Sequence, residues 1–120
     1  FLAALYGGLE RDPDLEAVRQ QLERKPAPAW LWCVHCETST GVLNDLARLK
    51  ALCAEFQVKL CLDCISSIAT VPVDLTGVYL ASCTSGKGLR SYPGVSMVFA
   101  CVSATTQREA LPQDSTSPPS

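Results

Sequence analysis

The order of secondary structure in this chain is decided by residues 29–62, which read AWLWCVHCETSTGVLNDLARLKALCAEFQVKLCL. The uninterrupted apolar run Ala29 to Val34 is typical of a strand buried on both faces of a parallel sheet. Apolar residues then recur at helical spacing from Leu43 to Phe56 and predict about four turns of amphipathic helix. Val58 to Leu62 predicts a second buried strand. A strand, a helix and a strand in this order predict a βαβ unit with a right-handed crossover.

The flanking sequence extends this unit in both directions. Asp12-Pro13 is a helix start, with Asp as N-cap and Pro at the first helical position. Val78 to Ser82 predicts a third strand after an irregular crossover, and Val95 to Val102 predicts a last strand that returns antiparallel because its link is short. The predicted fold class is therefore α/β, with a mostly parallel sheet. Residues 1–102 form one domain or part of one, and the Ser, Thr and Pro content of residues 103–120 predicts a disordered tail.

Composition narrows the classes of function. Ten Lys and Arg against twelve Asp and Glu give a net charge of −2, and no basic run predicts binding to nucleic acid or to an anionic membrane surface. Each apolar stretch is broken too early to span a bilayer. The seven cysteines are odd in number and scattered through apolar runs, which indicates reduced, buried thiols in a cytoplasmic protein. A small molecule or another protein is the expected partner.

Three polar residues follow the predicted strands, and the carboxyl ends of parallel strands meet at one edge of a sheet. They are Thr38, Asp63 and Lys87. Lys87 lies in the small-residue loop Thr84-Ser85-Gly86-Lys87-Gly88. A loop lysine that presents its amine, and a carboxylate that pairs with a pyridine nitrogen, are what pyridoxal phosphate chemistry requires. The hydroxyls of Thr38 and Ser85 suit the phenolic oxygen or the phosphate of that cofactor.

Other interpretations of these residues are open. A strand-end Asp commonly caps the following loop, and a loop Lys is commonly only solvated. A P-loop is excluded because Ala81 stands where its first Gly belongs and Gly88 where Ser or Thr would bind magnesium. Two C-x2-C pairs, Cys33 with Cys36 and Cys61 with Cys64, resemble a zinc site. Residues three apart on a strand point to opposite faces, so no metal site is predicted.

Four motifs in register carry a resemblance to a known family. They are His35-Cys36-Glu37-Thr38-Ser39-Thr40-Gly41-Val42-Leu43-Asn44, Leu62-Asp63-Cys64-Ile65-Ser66-Ser67-Ile68, Ser85-Gly86-Lys87-Gly88-Leu89 and Pro93-Gly94-Val95-Ser96. In order and spacing these residues resemble the class V pyridoxal phosphate-dependent aminotransferases of fold-type I. Among them, the 2-aminoethylphosphonate:pyruvate and serine/alanine:glyoxylate transaminases are the most similar branches.

The resemblance implies a function and a role for each matching residue. The chain would supply a central fragment of the large domain and transfer an amino group from a small amino compound to a 2-oxo acid. Lys87 matches the catalytic Schiff-base lysine, Asp63 the partner of the pyridine nitrogen, and Thr38 the hydroxyl beside the ring. Ser85 adds a cofactor-binding hydroxyl. Family members are homodimers, and desulfurases and lyases among their relatives share the same lysine and aspartate.

The sequence also departs from the family pattern. Gly86 replaces the Gln or Asn that commonly precedes the lysine, which removes part of the phosphate contact. The upstream Gly-rich segment and the downstream arginine for the substrate carboxylate are missing, so we expect this fragment to be inactive alone. The alternative is a non-catalytic α/β remnant or an interaction module that self-associates through exposed sheet edges.

Overall fold

The computed structural model describes residues 2–5 and 15–101, and these form seven strands and two helices. The prediction of a helix start at Asp12-Pro13 and that of a disordered tail at residues 103–120 both lie outside the described residues. The elements are β1 (Leu2–Leu5), α1 (Leu15–Leu22), β2 (Trp30–Val34), β3 (Cys36–Glu37), β4 (Val42–Leu43), α2 (Leu46–Glu55), β5 (Lys59–Asp63), β6 (Leu80–Thr84) and β7 (Ser96–Ala100).

Five of the strands form one sheet in the order β1-β2-β5-β6-β7. Neighbours among the first four are parallel, and β7 pairs antiparallel with β6. The predicted α/β class, the mostly parallel sheet and the antiparallel last strand are confirmed. Strand β1 was not predicted from the sequence, nor was the small hairpin of β3 and β4, which forms a separate two-stranded sheet.

Helix α2 begins later than its apolar spacing predicts. Asp45 is the N-cap, and its side chain accepts a hydrogen bond from the backbone N–H of Arg48 at 3.0 Å. This bond satisfies one of the free N–H groups of the first turn, so the helix starts at Leu46. The prediction that Leu43 belongs to the helix is wrong, because Leu43 pairs with Cys36 in the hairpin.

The core lies on one face of the sheet, and both helices pack there. Strand positions of alternating burial, such as Leu31 and Cys33 of β2, face Val18 of α1 and Leu49 of α2 within a single cluster. Right-handed crossovers between strands that advance in one direction place every connection on the same side. The buried apolar residues of this cluster are Val18, Leu22, Leu31, Cys33, Leu49, Leu52, Cys53, Val58, Leu60, Leu62, Cys64, Val78 and Ala81.

The other face of the sheet is partly open among the described residues. Trp32 is 36 % exposed, and Val98 on β7 is 65 % exposed. The prediction that Ala29 to Val34 is buried on both faces is therefore wrong, because both described helices cover the same side. A continuous apolar run cannot reveal which face its neighbours leave uncovered. In the parts of the chain that the structure describes, no helix is long and apolar enough to cross a membrane.

The crossover from β5 to β6 is irregular, as predicted. Residues 65–70 form turns, and Ile68, Val73 and Leu75 pack against the core cluster. Strand β6 begins at Leu80, two residues after the predicted start at Val78. Val78 is still buried, at 5 % exposure, so its apolar character reflects core packing before the strand begins.

Lys50 of α2 and Asp74 of the crossover form an ion pair whose stability contribution depends on pH. Hydrogen bonds from Thr76, followed by the Lys50 ammonium, lower the pKa of Asp74 from 3.8 to about 2. Since the folded pKa is the lower one, the stabilisation is complete above about pH 4 and is lost as the pH falls towards 2. We expect Asp74→Asn to be less stable than the wild type at pH 6 and equally stable near pH 2. Urea unfolding at both pH values measures this, and an unchanged difference between the two proteins would contradict it.

Candidate active site

Three connections leave the sheet at the carboxyl edge of the parallel strands: residues 35–45, 64–77 and 85–95. Backbone hydrogen bonds continue the sheet pairing into the first two of them. The His35 N–H donates to the Asp63 carbonyl at 2.9 Å, and the Cys64 N–H donates to the Ser82 carbonyl at 2.8 Å. The Ser66 hydroxyl donates to the Cys36 carbonyl at 3.0 Å. The loops after β2 and β5 are therefore fixed to each other.

Asp63 is the last residue of β5 and is half-buried. Its Oδ1 accepts a hydrogen bond from the Ile65 N–H at 2.9 Å, so the carboxylate caps the turn that follows the strand. This is the local role that a strand-end Asp commonly has. Oδ2 is not used in this cap, so one oxygen of the carboxylate remains for a cation or an N–H donor.

Lys87 lies in the turn after β6 and is exposed. The glycines on either side of it have little room. A Cβ added at Gly86 would lie 2.9 Å from the Pro93 Cβ, and one added at Gly88 would lie 2.2 Å from the Ile68 carbonyl oxygen and 2.5 Å from the Thr70 Oγ1. The turn that presents Lys87 is thus held between its own loop and the crossover from β5. That crossover begins directly after Asp63.

Ser85 is buried and holds the same loop together. Its hydroxyl donates to the Tyr92 carbonyl at 2.7 Å and accepts from the Val95 N–H at 3.3 Å. Its backbone N–H donates to the Val95 carbonyl at 3.0 Å. To bind a phosphate as a donor, Ser85 would have to exchange its bond to Tyr92 for one to the ligand.

Thr38 is exposed in the turn of the β3 and β4 hairpin. The hairpin turn is fixed by Gly41, whose N–H donates to the Glu37 carbonyl at 2.7 Å and whose φ of +71° suits glycine. The Glu37 carboxylate accepts from both the N–H and the hydroxyl of Ser39, and these bonds lower the pKa of Glu37. The structure thus places the four predicted site residues at one edge of the sheet, with Asp63 at the end of β5 and the others on the loops after β2 and β6, and with no hydrogen bond among them.

His35 is a further feature of this edge of the sheet. It is only 3 % exposed, and its Nδ1 has no hydrogen-bond partner among the described residues. Burial lowers the pKa of His35, which favours the neutral imidazole. Its backbone accepts from the Asn44 N–H at 2.9 Å and donates to Asp63, so His35 connects the hairpin to the β5 edge. A single His in an apolar sequence gives no signal for this role.

Five of the seven cysteines are buried as free thiols, namely Cys33, Cys53, Cys61, Cys64 and Cys83. Burial raises the pKa of Cys33 to about 12 and that of Cys53 to about 11. Both thiols are therefore protonated at neutral pH and are poor nucleophiles and metal ligands. Among residues 15–101, no group of three or more His, Cys, Asp or Glu side chains is placed to hold a metal ion.

Comparisons with known proteins place this arrangement in a class. No protein-family model matches the sequence. The crystal structure of alanine–glyoxylate aminotransferase from Nostoc sp. superposes with a TM-score of 0.74 at 34 % identity and covers 88 % of this chain and 28 % of its own. The chain has the fold of the class V, fold-type I pyridoxal phosphate-dependent aminotransferases and covers only a fragment of them. Aminotransferases of this family use pyridoxal 5'-phosphate.

Within that class, relatives are found among the 2-aminoethylphosphonate–pyruvate transaminases. The enzyme of Aeromonas hydrophila is 34 % identical over 90 residues, which cover 73 % of this chain and 24 % of the relative. The enzyme of Pseudomonas entomophila is 36 % identical over 87 residues, covering 71 % and 24 %. The chain therefore spans about a quarter of the length of the curated relatives that it matches.

Proposed function

We propose that this chain forms the central part of an aminotransferase site that binds pyridoxal 5'-phosphate through Lys87. The observation that supports it best is the position of Asp63, with one carboxylate oxygen unpaired, at the sheet edge that also presents Lys87. The hydrogen bond from the Ile65 N–H to Asp63 Oδ1 would by itself fit a purely structural role, the capping of the turn after β5. Oδ2 is not used by that cap and can still accept a hydrogen bond, and the protonated ring nitrogen of the cofactor would be a donor of opposite charge for it.

Each residue has a separate task in this proposal. The bound cofactor supplies an aldehyde and a ring that withdraws electrons from the substrate carbon. Asp63 Oδ2 would keep the ring nitrogen protonated. Lys87 Nζ would hold the cofactor and, once the substrate amine has displaced it from that bond, would move a proton at the substrate carbon. Thr38 and Ser85 would supply hydroxyls to the phenolic oxygen or the phosphate.

The substrates and the assembly are inferred from the relatives. The names of the sequence relatives indicate a small amino compound as donor and a 2-oxo acid as acceptor. We infer transfer between such molecules, in a homodimer of the cytoplasm whose site needs residues beyond those that match here. The chain alone is expected to bind the cofactor weakly and to show no efficient transamination. Turnover by the isolated chain at rates typical of enzymes, about 1 to 1,000 per second, would contradict this expectation.

Covalent labelling of the purified chain tests the proposal. The protein is mixed with pyridoxal 5'-phosphate, its absorbance is recorded, and the mixture is reduced with borohydride and digested for mass spectrometry. We expect a yellow band and a cofactor-sized mass increase on the peptide that contains Lys87, both lost in Lys87→Ala. Lys87→Arg retains the charge but cannot be labelled, so it separates phosphate attraction from attachment.

Lys25→Ala is the matched control, because Lys25 is an exposed lysine away from the candidate site. It should leave labelling at Lys87 unchanged. Equal labelling of Lys25 and Lys87 would mean that the cofactor reacts with any exposed amine. The chain would then be a structural remnant of the family that lacks a working cofactor site.

A further inference from the structure

The His35 side chain combines deep burial with a ring nitrogen that lacks a partner, and the proposed function does not use it. It is 3 % exposed, and within the part of the chain that the structure describes its Nδ1 has no hydrogen-bond partner. Histidine is the side chain whose charge ordinarily changes nearest to neutral pH, and a buried imidazolium needs an acceptor for each of its two N–H groups. The sequence contains a single histidine, so any imidazole titration of the chain belongs to His35.

The strand pairing places the His35 ring among neutral groups. Leu31 and Cys33 are the buried positions of β2, and His35 continues their alternation on the helix-covered face. The His35 N–H donates to the Asp63 carbonyl at 2.9 Å, which extends the pairing with β5 and brings His35 beside Cys64. Burial raises the pKa values of the Cys33 and Cys64 thiols, so neither is an anion at neutral pH that could pair with an imidazolium.

The charged side chains on the segments that pair with or follow His35 are engaged elsewhere or exposed. They are Glu37, Asp45, Arg48, Lys50, Lys59 and Asp63. Each of the three carboxylates accepts a hydrogen bond from a residue two or three positions after it. The two lysines lie against Asp74 and the ring of Trp30, and Arg48 is exposed. Burial lowers the pKa of His35, and no carboxylate of these segments offsets that effect.

His35 also lies where the β3 and β4 hairpin is joined to the sheet. Its carbonyl accepts from the Asn44 N–H at 2.9 Å, and the Asn44 side chain donates to the Val34 carbonyl. Asn44 directly precedes the N-cap of α2, so residues 36–43 begin and end at this contact. The side chain of a strand residue that faces the core reaches water only if its backbone moves. Exposing the His35 ring therefore breaks the backbone bonds to Asp63 and Asn44 and frees the hairpin.

We propose that His35 is a pH-sensitive switch: the neutral imidazole keeps residues 36–43 fixed to β5, and protonation releases this hairpin while the five-stranded sheet stays folded. The switch needs no cofactor and does not depend on the proposed function. Because burial lowers the pKa of His35 below its ordinary 6.5, the open state binds the additional proton. The closed state is fully stable above about pH 6.5, and below it the opening equilibrium rises by up to about tenfold per pH unit.

NMR spectroscopy on the full 120-residue chain, without cofactor, tests the proposal. The ring signals of the single histidine report its pKa, which we expect below 6.5. Hydrogen exchange, corrected at each pH for the rate of a free amide, gives the protection of the Gly41 and Asn44 N–H groups, which bond within the hairpin and to His35. Their protection should fall by up to about tenfold per pH unit between about pH 6.5 and about pH 5. About 1 M urea should leave it unchanged but lower the protection of the Tyr79 N–H, which bonds to Leu60 inside the sheet.

His35→Phe keeps a ring at the buried position but cannot be protonated, so the protection of the hairpin amides should no longer depend on pH. His35→Gln, which is also uncharged, gives the same comparison if the circular dichroism spectrum of His35→Phe differs from the wild type. The matched control is Glu37→Gln, which removes the carboxylate of the hairpin but retains an acceptor for Ser39, and it should keep the wild-type pH dependence.

Three results would overturn the proposal. One is a His35 pKa at or above 6.5, since protonation would then favour the closed state. Another is a pH dependence of the hairpin amides that persists in both His35 variants, because a different group would then titrate. The third is an equal response to urea at Gly41, Asn44 and Tyr79, which would mean that His35 becomes exposed only when the whole sheet unfolds.

Discussion

Replacing Gly88 with Ala is expected to lower the stability of the chain and to displace Lys87. The added methyl group would lie 2.2 Å from the Ile68 carbonyl oxygen, and real Cβ atoms essentially never approach so closely. The obstacle is backbone, so a change of rotamer cannot relieve it, and the turn must move away from the crossover. Overpacking of this kind costs about 1 to 3 kcal/mol. Urea unfolding measures the loss, and borohydride labelling with pyridoxal 5'-phosphate measures whether Lys87 still reaches its position.

Gly77→Ala is a control that separates a loss of stability from a loss of labelling at Lys87. Gly77 has a φ of +79° with no atom within 4 Å of the added Cβ, so its substitution strains the backbone but creates no clash. We expect it to lower stability by about 1 kcal/mol and to leave labelling at Lys87 unchanged. A second comparison is Gly88→Ala combined with Thr70→Ala, which removes the hydroxyl at 2.5 Å but not the Ile68 carbonyl. Full labelling in the single Gly88 variant would show that the crossover does not position the lysine.

The βαβ order was predictable because two independent signals agree within residues 29–62. The apolar runs are short enough for strands, and the helical spacing between them lies beside an N-cap residue, Asp45. Boundaries were less predictable, because an apolar residue such as Leu43 fits either pattern until its pairing with Cys36 is known. The open face of β2 follows from the handedness and direction of the crossovers, which is a property of the whole sheet.

The sequence placed the candidate residues at one edge, but it did not predict their local contacts. A strand-end position for Asp63 follows from the apolar run before it, whereas the capping bond to Ile65 depends on the turn that the crossover adopts. The close packing of Gly88 against Ile68 joins residues 20 positions apart through the ends of two strands. The unpaired Nδ1 of His35 likewise depends on the burial of this residue in the fold, which the local sequence does not specify.

Asp63→Asn should weaken cofactor binding while leaving the fold intact. The amide oxygen of Asn can still accept the 2.9 Å bond from the Ile65 N–H, so the turn after β5 is retained. The substitution removes the negative charge of the carboxylate, which we propose pairs with the protonated ring nitrogen of the cofactor. A hydrogen bond between charged groups contributes about 1.5 to 3 kcal/mol, so affinity for pyridoxal 5'-phosphate should fall by about tenfold to a hundredfold. Absorbance titration measures the dissociation constant, and urea unfolding should give a nearly unchanged free energy.

Two further variants distinguish the negative charge of Asp63 from the hydrogen bond by which it caps the turn after β5. Asp63→Ala removes both, so it should weaken binding like Asp63→Asn and in addition lower stability by about 1 kcal/mol. Asp74→Asn is the matched control, because Asp74 caps its own turn with the same i to i+2 bond, from the Thr76 N–H at 2.9 Å, and lies outside the candidate site. It should leave affinity unchanged. If Asp63→Asn binds the cofactor as tightly as the wild type, the carboxylate serves the turn alone, and the proposed partner of the ring nitrogen must be sought elsewhere at this edge.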